Sequence, residues 1–231
     1  ELSMDLWKYV KKWFEKLWFE VSYYNKNKYK WLRDLDIETI IDIWANEWQF
    51  ASEIHGIIPN AKIYAFEPIK SCFEKLSKVI AWYWKAFNYW IWEDNKIVTF
   101  YHNEFSASSS VLKMDSTHKN IFPFTKNEYE EKIEIKKLDD VKIDFENNIL
   151  LKIDVQWYEN QVIKWGKNFL KNVKIIVLET SFIKLYEWGA LFDNIYKLLL
   201  AEGFSYSWSW FQLFNQENWA ILQQDAICIK K

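Results

Sequence analysis

Three acidic residues, Asp42, Glu67 and Asp154, stand at or near the ends of short apolar runs: Thr39-Ile40-Ile41-Asp42-Ile43, Lys62-Ile63-Tyr64-Ala65-Phe66-Glu67 and Ile149-Leu150-Leu151-Lys152-Ile153-Asp154. Such runs, each followed by a helix-compatible segment, read as buried parallel strands. In an open α/β sheet a ligand binds beyond the carboxyl ends of the strands, where strand order reverses, so the three acids are expected to converge on one cleft. Glu67 follows Asp42 by 67 − 42 = 25 residues, near the spacing of about 20 at which an acidic side chain accepts hydrogen bonds from a ribose diol. The turn after the first run, Trp44-Ala45-Asn46-Glu47-Trp48, is where backbone would approach such a ligand, and glycine is the residue that permits the approach. Trp44 and Trp48 stand at the two places where glycine is expected.

The elements that position these residues follow from the pattern along the chain. Met4 to about Tyr24 carries Leu6, Val10, Trp13, Leu17 and Val21 near helical spacing, which predicts an amphipathic helix. The polar connector from Asn25 to Asp36 has a short helix near Tyr29 to Leu35. From Thr39 strand and helix alternate: a helix over Phe50 to Ile58, a strand over Lys62 to Phe66, and a helix after Pro68. A third strand is expected over Lys85 to Ile91 and a fourth extended stretch over Lys96 to His102. After an irregular stretch from Asn103 to Lys132, Ile133 to Lys137 and Ile149 to Val155 read as strands and Asn160 to Leu170 as one helix. The strand Lys174 to Glu179, the helix Leu191 to Glu202 and a closing pair, Phe204 to Phe211 and Ala220 to Ile229, complete the pattern. It predicts an α/β fold: a mostly parallel central sheet with an antiparallel edge strand and helices on both faces. Residues 1–37 form an N-terminal helical extension and residues 38–231 the main domain.

Composition narrows the partners. A net charge of −2 offers no basic surface for nucleic acid. No apolar run approaches the roughly 18 to 20 residues of a membrane span, so a soluble cytoplasmic protein acting on a small molecule is the expectation. Cys72 and Cys228 read as buried free thiols, and no cluster at ligand spacing suggests a metal. The anomaly is 16 Trp against 4 Gly, where glycine alone averages about 7% of residues. Trp44, Trp48, Trp92, Trp157, Trp188 and Trp219 all fall where turn chemistry asks for a small residue. We read them as glycine positions of a parent sequence now occupied by tryptophan.

With glycine at 44 and 48 the first turn would read D-x-G-A-N-x-G. That string, the Phe66-Glu67-Pro68 step and the block Lys152-Ile153-Asp154-Val155-Gln156-Trp157-Tyr158-Glu159 resemble, in order, three blocks of the FkbM family of S-adenosylmethionine-dependent methyltransferases. The resemblance covers about residues 38 to 231 and implies a Rossmann-like methyltransferase fold. It implies S-adenosylmethionine as cofactor and O-methylation of a hydroxyl on a sugar, polyketide or related small molecule. It also implies site residues. Asp42, Ala45 and Asn46, with Trp44 in the same cofactor-binding turn, face the methionine portion, and Glu67 and Pro68 the ribose; Asn88, Tyr89 and Trp90 stand where the adenine would lie, with core aromatic packing an equally good reading. Asp154 touches cofactor and acceptor and is the first candidate base, with His102 and then His118 next. Lys152 and Glu159 match family positions as braces, and Ser108 to Ser110 resembles a serine-rich piece of the family. A homodimer is compatible with the N-terminal helix acting as a lid or dimer element.

Two other classes compete. In one, the fold is catalytically silent and tryptophans fill the old cofactor pocket; in the other, exposed tryptophans make a carbohydrate-binding module. A nicotinamide-dependent oxidoreductase is a distant third, because D-x-W-A-N-x-W does not restore to G-x-G-x-x-G even with both glycines supplied.

Overall fold

The computed structural model describes residues 30–46, 49–79, 84–102, 129–145, 148–155, 158–183, 189–215 and 217–231. The expected N-terminal helix, Trp48, Trp157, Trp188, His118 and the serine run at 106–110 lie outside the described residues.

Ten strands are described: β1 (Thr39–Ile43), β2 (Lys62–Phe66), β3 (Trp84–Phe87), β4 (Trp90–Ile91), β5 (Lys96–His102), β6 (Tyr129–Lys136), β7 (Ile149–Ile153), β8 (Val173–Ser181), β9 (Phe204–Phe214) and β10 (Ile221–Lys230). The helices are α1 (Gln49–Ile57), α2 (Lys70–Val79), α3 (Glu159–Trp165), α4 (Lys167–Leu170) and α5 (Phe192–Ala201). Seven strands form the main sheet in the order β3-β2-β1-β7-β8-β10-β9. β1, β2, β3, β7 and β8 run parallel, while β10 lies antiparallel to β8 and β9 antiparallel to β10. The expected parallel sheet with an antiparallel edge is therefore what the chain builds.

Every residue of β1 is buried, as a strand covered on both faces must be. Alternation sends Ile41 and Ile43 into the larger core, with Leu151, Ile153, Val162 and Leu199, and Ile40 into the smaller core, with Ala51, Ile54, Leu150 and Val177. The helix pattern of α1 puts Ala51 and Ile54 on that second face. Strand order reverses between β1 and β7: from β1 the chain first builds outward through β2 to β3, and later returns on the other side through β7 to β8.

Three expectations are corrected. The single strand over 85–91 is two strands, because Asn88 Nδ2 donates to the carbonyls of both Glu67 and Pro68 (2.9 Å each) and turns the chain out of the sheet. The segment beyond it, β4, pairs in parallel with β6, which pairs antiparallel with β5, so these extended stretches form their own three-stranded sheet. Its apolar residues Trp90, Ile133 and Ile135 pack into the larger core. The single helix over 160–170 is also divided, at Gly166, where a Cβ would meet Leu138 Cδ2 at 2.8 Å and the Val162 carbonyl at 2.9 Å. Asp139 of the Leu-Asp-Asp step then caps α4, accepting from the Phe169 amide at 2.7 Å and the Asn168 amide at 3.2 Å. Cys72 and Cys228 are buried and outside any disulfide, as expected.

Two of the suspected glycine positions have the backbone of glycine. Trp44 lies at φ 70° and Trp219 at φ 60°, the left-handed region in which Gly203 also sits at φ 86°. A side chain with a Cβ pays roughly 1 to 2 kcal/mol there. Trp219 closes the β9–β10 turn, its amide donating to the Asn215 carbonyl at 2.8 Å, and is 76% exposed, so its indole recovers little of that cost by packing. Trp219→Gly is expected to raise the unfolding free energy by about 1 kcal/mol. Trp219→Ala, which keeps the Cβ, is expected to leave it nearly unchanged; urea denaturation of the three proteins checks both.

Candidate functional site

The carboxyl ends of β1, β2 and β7 carry the three acids side by side, because β1 is flanked by β2 on one side and β7 on the other. In register, Asp42 faces Ala65 across one ladder and Lys152 across the other. Lys152 Nζ reaches Asp42 Oδ1 at 3.3 Å and Asp154 Oδ2 at 3.1 Å, so one ammonium ties together the ends of the two strands at the reversal point. Asp42 is fully buried. Burial pushes its carboxyl above the usual carboxylate range while Lys152 pulls the other way. For Lys152, burial opposes the charge, but Asp42 and Asp154 outweigh it and hold the ammonium well above its ordinary value. Asp42 Oδ2 has no hydrogen-bond partner among the described residues, an oxygen left open in an otherwise satisfied cluster.

Glu67 is nearly inaccessible, at 1% exposure, and both of its oxygens accept from backbone amides: Oε2 from Asn46 at 2.8 Å and Oε1 from Ile69 at 2.8 Å. It therefore fastens the β1–α1 turn to the β2–α2 turn. The same two turns are joined again where the amides of Trp44 (2.9 Å) and Ala45 (3.0 Å) both donate to the Phe66 carbonyl. Those bonds hold Trp44, and with it Asn46 at φ 55°, in the left-handed region. Ala45 packs on Ala65 and Leu76, and Pro68 is buried two residues before α2. Burial drives the Glu67 carboxyl up to about 8, the two amides working against it.

Trp90 and Tyr89, expected around an adenine ring, are core residues at 2% and 8% exposure. The Trp44 indole meets Trp90 edge-on at 5.2 Å, Trp90 stacks on Trp92 at 4.7 Å, and Tyr158 closes against Trp92 at 5.3 Å. Tyr89 packs on Phe66 and Phe87 under the Lys136 ammonium. Core packing, not an open ring-binding face, is what these two aromatics do. His102 ends β5, on the outer strand of the second sheet and so on a different sheet from the acids.

Sequence reasoning missed Glu179. It follows Leu178, the β8 partner of Ile153, and so comes to lie beside Asp154. Burial raises its carboxyl to about 8, and Asp154, Glu159 and Asp225 add to the effect. Lys152, Asp154, Glu179 and Asp225 line a cleft with Phe50 and Trp210, on the α1 face of the sheet. Its signal was present in the sequence, since Glu179, like the other three acids, comes late in an apolar run.

The strand order, the reversal point and acids at adjacent strand tips define the class: an α/β protein that holds a nucleoside-bearing ligand at the carboxyl edge of its sheet. The Methyltransferase FkbM domain matches residues 41–206, and the chain belongs to that family. It is a methyltransferase whose cofactor is S-adenosylmethionine. A search of curated proteins gives no match. Among solved structures, it is similar to magnesium protoporphyrin IX methyltransferase from Synechocystis PCC 6803 with bound SAM (7% identity, 97% of this chain and 96% of that one, TM-score 0.45). It is similar also to a TehB-like SAM-dependent methyltransferase from Corynebacterium glutamicum (7%, 97% and 97%, 0.46) and to a putative one from Listeria monocytogenes (8%, 89% and 98%, 0.47). The assignment rests on the family match, not on likenesses of that size. Among the described residues, no helix is long and apolar enough to cross a membrane.

The residues fit the cofactor in part. The open Asp42 Oδ2, the left-handed turn and the amide-anchored Glu67 are suited to it. What does not fit is the filling: the indoles of Trp44 and Trp90, which follow β1 and β3 in the chain, are buried and meet edge-on at 5.2 Å.

The raised Glu67 value carries a sign. Its ordinary value is 4.5 and its folded value about 8, so between those limits the folded chain keeps a proton that the unfolded chain has released. Its contribution to stability is fully present below about pH 4.5 and is lost as pH rises through about 8, at up to about 1.4 kcal/mol per pH unit. Glu67→Gln, which cannot ionise, is expected to flatten this part of the pH profile. Denaturation midpoints from pH 5 to 9 for both proteins check it; parallel profiles would refute it.

Proposed function

We propose that this methyltransferase scaffold methylates oxygen: a hydroxyl on a sugar, polyketide or related small molecule. The observation that carries the reading is the row of carboxylates beside Lys152. Asp154, Glu179 and Asp225 border one cleft next to the reversal point, and a carboxylate-rich wall is matched to acceptors that present several hydroxyl donors.

In this reading Asp42 directs its open oxygen at the ammonium of the methionine portion, and Ala45 and Asn46 present the turn to it. Glu67, followed by Pro68, is aimed at the ribose diol. When bound, S-adenosylmethionine supplies an already activated methyl group, so the protein chiefly aligns the acceptor and removes its proton. Asp154 takes the proton of the acceptor hydroxyl, and Lys152, 3.1 Å from it, keeps the carboxylate oriented. His102 has no role in this scheme, since it ends a strand of the other sheet. The setting is a cytoplasmic enzyme acting on a small molecule.

Methyl-labelled S-adenosylmethionine and a panel of sugar and polyketide alcohols, each with its amine analogue, test the proposal on the chain and on a variant carrying Trp44→Gly, Trp90→Gly and Trp92→Gly. With the variant, label is expected on oxygen. Asp154→Asn is expected to cut kcat by roughly 100-fold or more with little change in cofactor affinity. Transfer to the amines alone would overturn the reading.

A further inference from the structure

The indoles of Trp44, Trp90 and Trp92 make a continuous aromatic stack: edge-on contact at 5.2 Å, then a stack at 4.7 Å with an interplanar angle of 23°, with Tyr158 against the last two rings at 6.0 and 5.3 Å. Three features mark it as a late filling rather than as part of the frame. Trp44 sits at φ 70°, held there by its own amide and that of Ala45 on the Phe66 carbonyl, a conformation that favours glycine. The buried Nε1 of Trp92 has no hydrogen-bond partner among the described residues, although a buried indole N–H normally has one. Glu67, whose amide-anchored carboxylate is suited to hydroxyl donors, is shut to 1% exposure and pushed up to about 8. Each indole brings on the order of 150 to 250 Å² of surface, comparable to an adenine ring, and Trp44 brings it to the turn whose Asn46 amide holds that carboxylate.

We infer that Trp44, Trp90 and Trp92 stopper the nucleoside end of the cofactor site, and that the frame around them is built for small residues there. The inference rests on the methyltransferase reading and narrows it: in this chain the acids are in place and the pocket is closed. Removing the three indoles opens a space bounded by Tyr158 and residues 44–46, where the Asn46 amide holds Glu67.

Calorimetric titration with S-adenosylhomocysteine tests this without reference to turnover. The unmodified chain is expected to show no saturable binding below millimolar ligand. The triple Trp→Gly variant is expected to bind at least 100-fold more tightly and to lose that gain on Glu67→Gln. Should the triple variant fail to fold, Trp44→Gly alone, which also relieves the left-handed strain, is expected to improve affinity at least tenfold. Micromolar binding by the unmodified chain, or no gain in a folded variant, overturns the stopper. Binding gained without methyl transfer to any alcohol would leave it standing and defeat the O-methylation proposal instead.

A second observation points to how these residues arose. Trp219 is far out on the β9–β10 turn, is 76% exposed and shares the left-handed backbone of Trp44, yet has no place in the stack. One residue type recurring at two unrelated positions with a glycine-type backbone, in a chain with 16 Trp and 4 Gly, points to coding rather than packing. UGA is a codon that some genetic codes read as tryptophan and others as glycine. We infer that codons 44 and 219 are UGA and that the source organism inserts glycine there. The gene sequence and the intact mass of the protein from its source decide this. UGA at both, with a mass lighter than the tryptophan chain, is expected; UGG at either, or the full tryptophan mass, overturns it.

Discussion

A single ammonium holds the centre of this molecule. Lys152 is on β7, yet its charge is shared by Asp42 on the neighbouring strand and by Asp154 two residues on, so the sheet cannot shift register at its reversal point without stranding a buried carboxylate. Removing one partner of a buried pair typically costs about 3 to 5 kcal/mol, a large part of a domain's stability of roughly 5 to 15 kcal/mol. The pair does not follow from hydrophobic patterning, which would put leucine or isoleucine at both positions. Apolar neighbours on each strand build the two cores; the charges between them fix where the strand ends meet and leave one carboxylate oxygen without a hydrogen-bond partner among the described residues.

Around that fixed point the turns are arranged by backbone hydrogen bonds rather than by side-chain packing. Glu67 takes two amides, one from each adjacent turn, and the Phe66 carbonyl takes two more. Such a lattice prescribes φ and ψ whatever residue occupies each position. Trp44 is therefore driven into a left-handed conformation that its own side chain opposes. Strain of this kind is tolerated where the surroundings over-determine the backbone, and it concentrates at sites that bind ligands.

The sequence made the main sheet legible because its strands are apolar, bounded and separated by periodic helices: β1, β2, β7 and β8 fall within a residue or two of the expected spans. It hid what depends on side chains reaching across the fold. Asn88 breaks a strand by bonding to carbonyls 20 and 21 residues away, and nothing local to 85–91 announces that. Gly166 divides a helix because Leu138 approaches it, again a contact between distant segments. At the site, the acids were readable as strand-end residues that meet at the reversal point, and the family pattern around them was readable too. Glu179 was overlooked because no motif contains it; only the β7–β8 register brings it to Asp154. Trp90 was open to two readings, and the core is where it packs. An aromatic at a strand end looks the same in sequence whether it faces a ligand or fills a core.

The state of Glu67 connects these levels. Two amide donors alone would lower the pKa of a carboxyl group. Here burial outweighs both donors and carries it to about 8. The donors come from backbone at Asn46 and Ile69, so they belong to the fold and hold the carboxyl in place whatever its charge. Burial acts on the charge alone. The position of Glu67 is therefore set by backbone hydrogen bonds and its protonation by packing, and a change of packing at the strand ends alters the second without the first.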